Sequence, residues 1–209
     1  LGSFFTDTEY VLQEFSIGPY TQQVYVLKSA STDYDLTGQV LWPAATYLAD
    51  YLVSRPELLH NAEVLEVGSG AGLTGLVVAQ CGASVILSDY HSTVLDLLHK
   101  NADLAKGKVT VASLDWESPD SPSNLQSQGL SSSFKVIIGS DVVFWPNLVP
   151  LLFKTVKALI EVEGCFILGY TRRSEVSEKL MFATASAEGF SYQLICDNGA
   201  QFIYEFRLS

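Results

Sequence analysis

Basic residues are scarce in this chain: 12 lysines and arginines stand against 23 aspartates and glutamates, a formal net charge of −11 over 209 residues. A phosphate-backbone partner needs a basic face, so no nucleic acid is expected, whereas a basic protein or a cationic small molecule suits the balance. Cysteine is equally sparse. Cys81, Cys165 and Cys196 are odd in number and far apart, which builds neither a disulfide framework nor a zinc pattern and reads as buried, reduced thiols. His60, His91 and His99 follow no ligand spacing, and no metal is expected. No run reaches the roughly 18 consecutive apolar residues of a membrane span, and no basic-then-apolar leader opens the sequence, so the expectation is a cytoplasmic or nuclear protein with no membrane partner. Neither an internal repeat nor a coiled-coil pattern is visible, which leaves a monomer as the default.

What the chain has is apolar sequence, 48% of its residues and evenly spread, enough for one full core. Short strands at 15–17 and 24–27 around Gly18-Pro19 predict an N-terminal hairpin, an extension over residues 1–36 packed on the main body at 37–209. Residues 42–53 carry apolar positions at helical spacing, with Pro43 suited to a first turn. Strands at 64–67, 84–88, 109–114, 134–139 and 165–169 then alternate with helices at 73–80, 93–104 and 148–160. Residues 120–133, rich in Ser, Pro, Asn and Gln, read as a surface loop. A helix at 174–187 precedes strands at 192–196 and 202–207, joined by Asp197-Asn198-Gly199-Ala200, a strong signal for an antiparallel pair. The fold class that follows is α/β: a doubly wound, mostly parallel, seven-stranded Rossmann-like sheet whose last strand is antiparallel.

The densest information lies at residues 64–75, VLEVGSGAGLTG, where an acid near the end of a buried strand precedes a glycine-rich turn into a helix. Glycines let a backbone approach a ligand closely, and the helix start presents unpaired amides. A carboxylate at Glu66 repels a diphosphate but attracts a sulfonium and an α-ammonium, and S-adenosylmethionine carries both. In open parallel sheets ligands sit beyond the carboxyl ends of the strands. Four such ends carry polar residues: Gly68-Ser69-Gly70, Asp89-Tyr90, Asp115-Trp116 and Ser140-Asp141. Asp89 lies where a carboxylate accepts ribose hydroxyls, and Asp115 with the Trp116 indole offers a polar contact and a flat face to adenine. A dinucleotide remains the alternative, because Gly70, Gly72 and Gly75 also satisfy G-x-G-x-x-G; Glu66 and the intervening Gly68-Ser69 argue against it. Arg172 and Arg173 are placed either to bind a substrate carboxylate or to pair with surface acids.

These segments together resemble the seven-strand, class I S-adenosylmethionine-dependent methyltransferases, and in particular the lysine-methyltransferase-like group called methyltransferase family 16. Residues 37–45 (TGQVLWPAA) are similar to that group's Trp-bearing segment ahead of motif I, 64–72 to motif I and 87–89 to its acidic post-I element. Residues 114–116 (LDW) match its tryptophan motif, 139–144 (GSDVVF) its Asp-x-x-Tyr signature and 169–172 its fifth-strand end. The resemblance implies that Trp42, Gly68, Ser69, Gly70, Asp89, Trp116 and Ser140 contact the cofactor, with Glu66, Tyr90 and Asp115 beside them. It further implies that Asp141 faces the acceptor amine as a catalytic group. Phe144 departs from the family's tyrosine, which removes any role for a phenol hydroxyl but keeps an aromatic face to enclose an ammonium. The implied activity is methylation of a protein lysine, on a chaperone, translation factor or similar abundant protein, leaving S-adenosylhomocysteine. Arginine, histidine, a small-molecule amine or a non-catalytic cofactor-binding role stay open as alternatives.

Overall fold

The computed structural model describes residues 10–28 and 34–209; residues 1–9 and 29–33 of the expected N-terminal extension lie outside it, as do the side chains of 34–36. Two strands, β1 (Tyr10–Ile17) and β2 (Tyr20–Leu27), pair antiparallel around Gly18. A 3-10 turn (Tyr34–Gln39) leads to α1 (Pro43–Val53) and the single turn α2 (Pro56–Leu59). Then come β3 (Glu63–Val67), α3 (Leu73–Gln80), β4 (Ser84–Asp89), α4 (Ser92–Ala102), β5 (Lys108–Ser113), α5 (Ser121–Ser127) and β6 (Phe134–Ser140). The chain closes with α6 (Val149–Leu159), β7 (Ile160–Thr171), α7 (Glu175–Ala187), β8 (Phe190–Asp197) and β9 (Gln201–Leu208).

Seven of these strands form one sheet in the order β5-β4-β3-β6-β7-β9-β8. Strands β3 to β7 run parallel, and β9 inserts antiparallel between β7 and β8, so the last strand in sequence is the reversed one. Period-two alternation sends successive side chains to opposite faces, and both faces are covered. Leu65, Val67, Ile137, Phe166 and Leu168 meet Leu125 of α5, Phe153 of α6 and Met181 of α7 on one side. Val64, Val85, Val136, Ile138 and Ile167 meet Leu48 of α1, Leu76 of α3 and Leu98 of α4 on the other. Each fully buried leucine there contributes roughly 1.5–3 kcal/mol relative to exposure. Val24 and Val26 of the hairpin enter this second core.

Asn101 locks the hairpin down. It is fully buried, its Oδ1 accepts from Tyr25 N at 2.7 Å, and its Nδ2 donates to Tyr25 O at 2.9 Å and to Ala71 O at 2.8 Å. One side chain thereby stands in for a neighbouring strand at β2 and holds the glycine turn as well.

Several elements differ from the sequence expectation. The hairpin strands are longer than predicted, because Gln13 and Glu14 continue β1 while facing solvent. The expected loop at 120–133 contains α5, anchored by the fully buried Leu125. Among the described residues no helix is long and apolar enough to cross a membrane.

Candidate functional site

A cavity of about 310 Å³ opens beyond the carboxyl ends of β3, β4, β5 and β6, roofed by residues 37–42. The glycine turn after β3 forms its floor. Gly68 and Gly70 have φ of +61° and +54°, left-handed values that other L-residues adopt at a cost. Packing fixes the requirement further. A Cβ on Gly70 would stand 2.7 Å from Gly38 O, and one on Gly68 would stand 2.8 Å from Val142 and 3.2 Å from the Trp116 ring. The glycines therefore serve the closure of the roof and the indole onto the turn. Ser69 ties this turn to β4: its N–H donates to Ser88 O at 2.9 Å and its Oγ accepts from Ser88 N at 3.0 Å.

Asp89 ends β4 facing the cavity. Its Oδ2 accepts from Gly70 N at 3.1 Å and its Oδ1 from Tyr90 N at 2.8 Å, which fixes the carboxyl while leaving lone pairs for a ligand's hydroxyls. Burial raises this carboxyl above its ordinary value, against the lowering effect of the backbone donors. Tyr90, Asp115, Trp116 and Ser140 also line the cavity, with Tyr90 45% exposed at its mouth. Asp115 Oδ1 accepts from Glu117 N at 2.9 Å. Trp42 lines the far end, its indole N–H donating to Thr37 O at 2.9 Å.

Glu66 lies elsewhere than the sequence implies. Its carboxyl is 1% exposed and does not line the cavity; strand alternation turns it away beneath the first turn of α3, where Oε2 accepts from Gly75 N at 3.1 Å. Oε1 has no hydrogen-bond partner. Burial pushes the group up to about 8, only partly offset by nearby donors, so it is mostly a neutral acid at neutral pH. Glu66 therefore supports the turn, and its charge is not what a ligand meets. Gly75 is its steric counterpart, since a Cβ there would stand 2.7 Å from Oε2 and 2.2 Å from Leu87.

The charge that a ligand meets lies on the cavity wall itself. Among the described lining residues are four acids, Asp89, Asp115, Glu117 and Asp141, and no lysine or arginine. A diphosphate would find no lysine or arginine there, whereas a sulfonium and an ammonium find carboxylates. The volume and the indole and aliphatic walls suit a nucleoside.

Asp141 also departs from expectation. It has φ of +54°, and this left-handed turn after β6 aims its carboxyl back into the protein, where the side chain is 1% exposed. Oδ1 accepts from Thr171 N at 2.8 Å and Arg173 Nη1 at 3.1 Å; Oδ2 accepts from Thr171 Oγ1 at 3.0 Å and Ala44 N at 3.1 Å. Four donors saturate it, so the expected free carboxylate facing an acceptor amine is absent. Instead it caps the start of α1, whose Pro43 brings no N–H, and ties that helix to the end of β7. Phe144 stands 5.7 Å from Trp42 and 4.8 Å from Trp145, centroid to centroid. Of the two arginines, Arg172 pairs with Glu178 at 2.8 Å and Arg173 with the buried Asp141; both partners are acids of the fold. Thr171, Ala44 and Gly38, which hold these groups, lie inside the segments 169–172 and 37–45, but nothing in the sequence gives any of the three an individual role.

A family model described as lysine methyltransferase matches residues 23–187. Over 200 residues the chain is 31% identical to the protein-lysine N-methyltransferase EEF2KMT of Mus musculus, covering 85% of this chain and 57% of that protein. It is 30% identical to the protein N-lysine methyltransferase METTL21A of Danio rerio over 80% of this chain and 75% of the relative. The human EEF2KMT is covered over 43% of its length, so this chain spans about half of the EEF2KMT proteins it matches. In fold it is similar to the 16S rRNA N2 G1207 methyltransferase RsmC of T. Thermophilus, solved with AdoMet and guanosine. That likeness has a TM-score of 0.69 at 17% identity, over 95% of this chain and 50% of that one. With the family model matching from the hairpin through the last helix, this chain belongs to the lysine methyltransferase family.

Proposed function

We propose that the protein is an S-adenosylmethionine-dependent N-methyltransferase acting on a lysine side chain of a protein substrate. The observation that carries this reading is the acidic, lysine- and arginine-free cavity at the carboxyl ends of β3 to β6, in a chain of this family. Asp89 would take the ribose hydroxyls, Trp116 with Asp115 and Tyr90 the adenine, and Gly68, Ser69, Gly70, Ser140 and Trp42 the remaining walls. Glu66 would act through the turn it supports. Bound there, the cofactor would supply an electrophilic methyl group on sulfur.

The chain's own residues need only orient a neutral amine and keep water away. A lysine with an ordinary pKa of about 10.4 arrives charged and must first release a proton to solvent. The bound cofactor would supply the freed nitrogen lone pair with a methyl group and keep the sulfur electron pair as a neutral thioether, so the positive charge would pass from sulfur to a methylated ammonium. Phe144, Trp42 and Trp145 give the acceptor end an aromatic, partly dry surface that favours the uncharged amine. Asp141 is a positioning residue here, fixing α1, the end of β7 and Arg173 in one frame.

The test is to incubate the protein with a radiolabelled methyl donor and a cell extract, then hydrolyse any labelled band. Methyl-lysine in a protein supports the proposal; label on arginine, histidine or a small molecule, or none at all despite tight cofactor binding, refutes it.

A further inference from the structure

The aromatic niche at the acceptor end is already backed by a cation. The Arg173 guanidinium carbon stands 4.9 Å from the Trp42 ring centroid and 5.1 Å from that of Phe144, and its Nη1 donates to Asp141. All three of these partners line the cavity while Arg173 does not, so the guanidinium sits behind the wall they make. An aromatic pair beside a carboxylate is the standard complement of an ammonium ion. Here that complement is satisfied by the chain's own arginine, a group that does not lose its proton in proteins.

We propose that Arg173 is a fixed cation of the acceptor niche and a specificity-determining residue: it takes up the aromatic and carboxylate partners that would hold an ammonium, and so leaves the niche to the amine in its deprotonated, nucleophilic form. This rests on the lysine N-methyltransferase reading above. Arg173 is held too firmly to step aside readily: its side chain is 27% exposed, and the carboxylate it pairs with is buried and anchored by three further hydrogen bonds. Removing one partner of such a pair leaves an uncompensated buried charge. Among the described residues packed around it, no other acid offsets the guanidinium. Arg172 is turned to Glu178 and the Phe202 ring; the neighbouring Tyr170 phenol is raised by burial and stays neutral; residues 142–148 and 37–46 contain no titratable side chain. An ammonium entering the niche therefore finds the carboxylate already paired and both rings already faced by a cation, so it gains no partner there, and a neutral amine needs none.

The first arm of the test needs no acceptor. Sinefungin, a cofactor analogue with an amine in place of the methylsulfonium, and S-adenosylhomocysteine, uncharged at that point, are titrated calorimetrically into wild type, Arg173→Met and Arg173→Lys. Between about pH 6.5 and about pH 10 the wild-type preference for sinefungin should rise as its amine deprotonates. In Arg173→Met that preference at neutral pH should be about tenfold higher than in wild type, and Arg173→Lys should resemble wild type. Using the ratio of two ligands cancels any partial unfolding of a variant. An unchanged ratio in Arg173→Met overturns the proposal. The second arm follows transfer to the labelled extract protein. The acid limb of its pH profile should move in Arg173→Met by about one pH unit toward higher pH, because the niche no longer favours the uncharged amine. A merely structural arginine would instead lower transfer by one factor at every pH, in the lysine variant as well, and that result also overturns the proposal. Absence of methyl-lysine from wild type refutes the lysine reading alone, and the calorimetric ratio then decides Arg173.

Discussion

Replacing Glu66 by glutamine isolates one buried proton. The carboxyl is 1% exposed, receives a hydrogen bond from Gly75 N–H on one oxygen and none on the other, and titrates near 8 in the fold against an ordinary 4.5. Because the folded value is the higher one, the group's stabilising contribution is complete below about pH 4.5, declines as pH rises, and is gone above about pH 8. At 1.36 kcal/mol per pH unit, the gap from 4.5 to about 8 sets a ceiling of roughly 5 kcal/mol. Water reaching the opened site would reduce the loss, so a change of roughly 2–5 kcal/mol is expected. Glutamine keeps an acceptor for Gly75 but cannot ionise. Its own packing cost is the same at every pH and cancels in the pH dependence. Urea unfolding of both proteins at intervals across the window between the two pKa values gives the difference directly. Wild type should lose stability relative to Glu66→Gln as pH rises, steadily through that window and no further above it. A difference that stays flat, or that grows as pH falls, would refute the placement of a neutral acid beneath the turn.

Four further outcomes follow from the same geometry. Asn101→Ala removes three hydrogen bonds from buried and half-buried backbone groups and should cost roughly 3 kcal/mol in urea unfolding, with faster hydrogen exchange at the Tyr25 amide. Asp89→Ala should weaken S-adenosylmethionine by about tenfold or more in calorimetry, since each hydrogen bond to a charged group contributes roughly 1.5–3 kcal/mol; equal affinity contradicts the ribose assignment. Asp141→Ala should lower methyl transfer by about a hundredfold or more while cofactor affinity stays within about threefold, because the acceptor frame shifts and the adenosine walls do not. Gly75→Ala drives a methyl group against Leu87 and the Glu66 carboxyl and should cost roughly 1–3 kcal/mol in thermal or urea unfolding.

The sheet was legible wherever the chain signals its own boundaries. Helix α3 begins and ends as predicted because Gly72 and Gly82 bracket a mostly apolar run that is buried from Leu73 to Ala79. The reversed position of β9 follows from Asp197-Asn198-Gly199-Ala200, whose tight turn leaves no room for a parallel return. Helix α5 escaped because a single residue, Leu125, anchors it, and α2 because four residues show no period. At the site, the residues that follow strands β3 to β6 line the cavity, where the topology of a parallel sheet puts them. The direction of a side chain was less legible. Glu66 lies on a strand covered on both faces, so alternation puts it on one face without saying which face holds the ligand. Asp141 is governed by donors 97 and 30 residues away, and no local pattern announces them.

Two buried acids are therefore used in opposite ways within one site. Glu66 lacks a cation and has one backbone donor, so burial wins and the proton stays; the turn above it rests on a neutral group and carries no field into the cavity. Asp141 is as deeply buried, but a guanidinium, a hydroxyl and two backbone amides converge on it, one of them at the positive end of α1, and these complement a carboxylate. The donors come from α1, β7 and the segment after it, so the acid at the end of β6 is what holds those elements against Phe144. Placing an arginine in that cluster has a consequence for selectivity. The acceptor end is assembled around a balanced ion pair, and a second cation gains nothing by entering it, whereas the cofactor end, with Asp89, Asp115 and Glu117 and no lysine or arginine, keeps its attraction for positive charge.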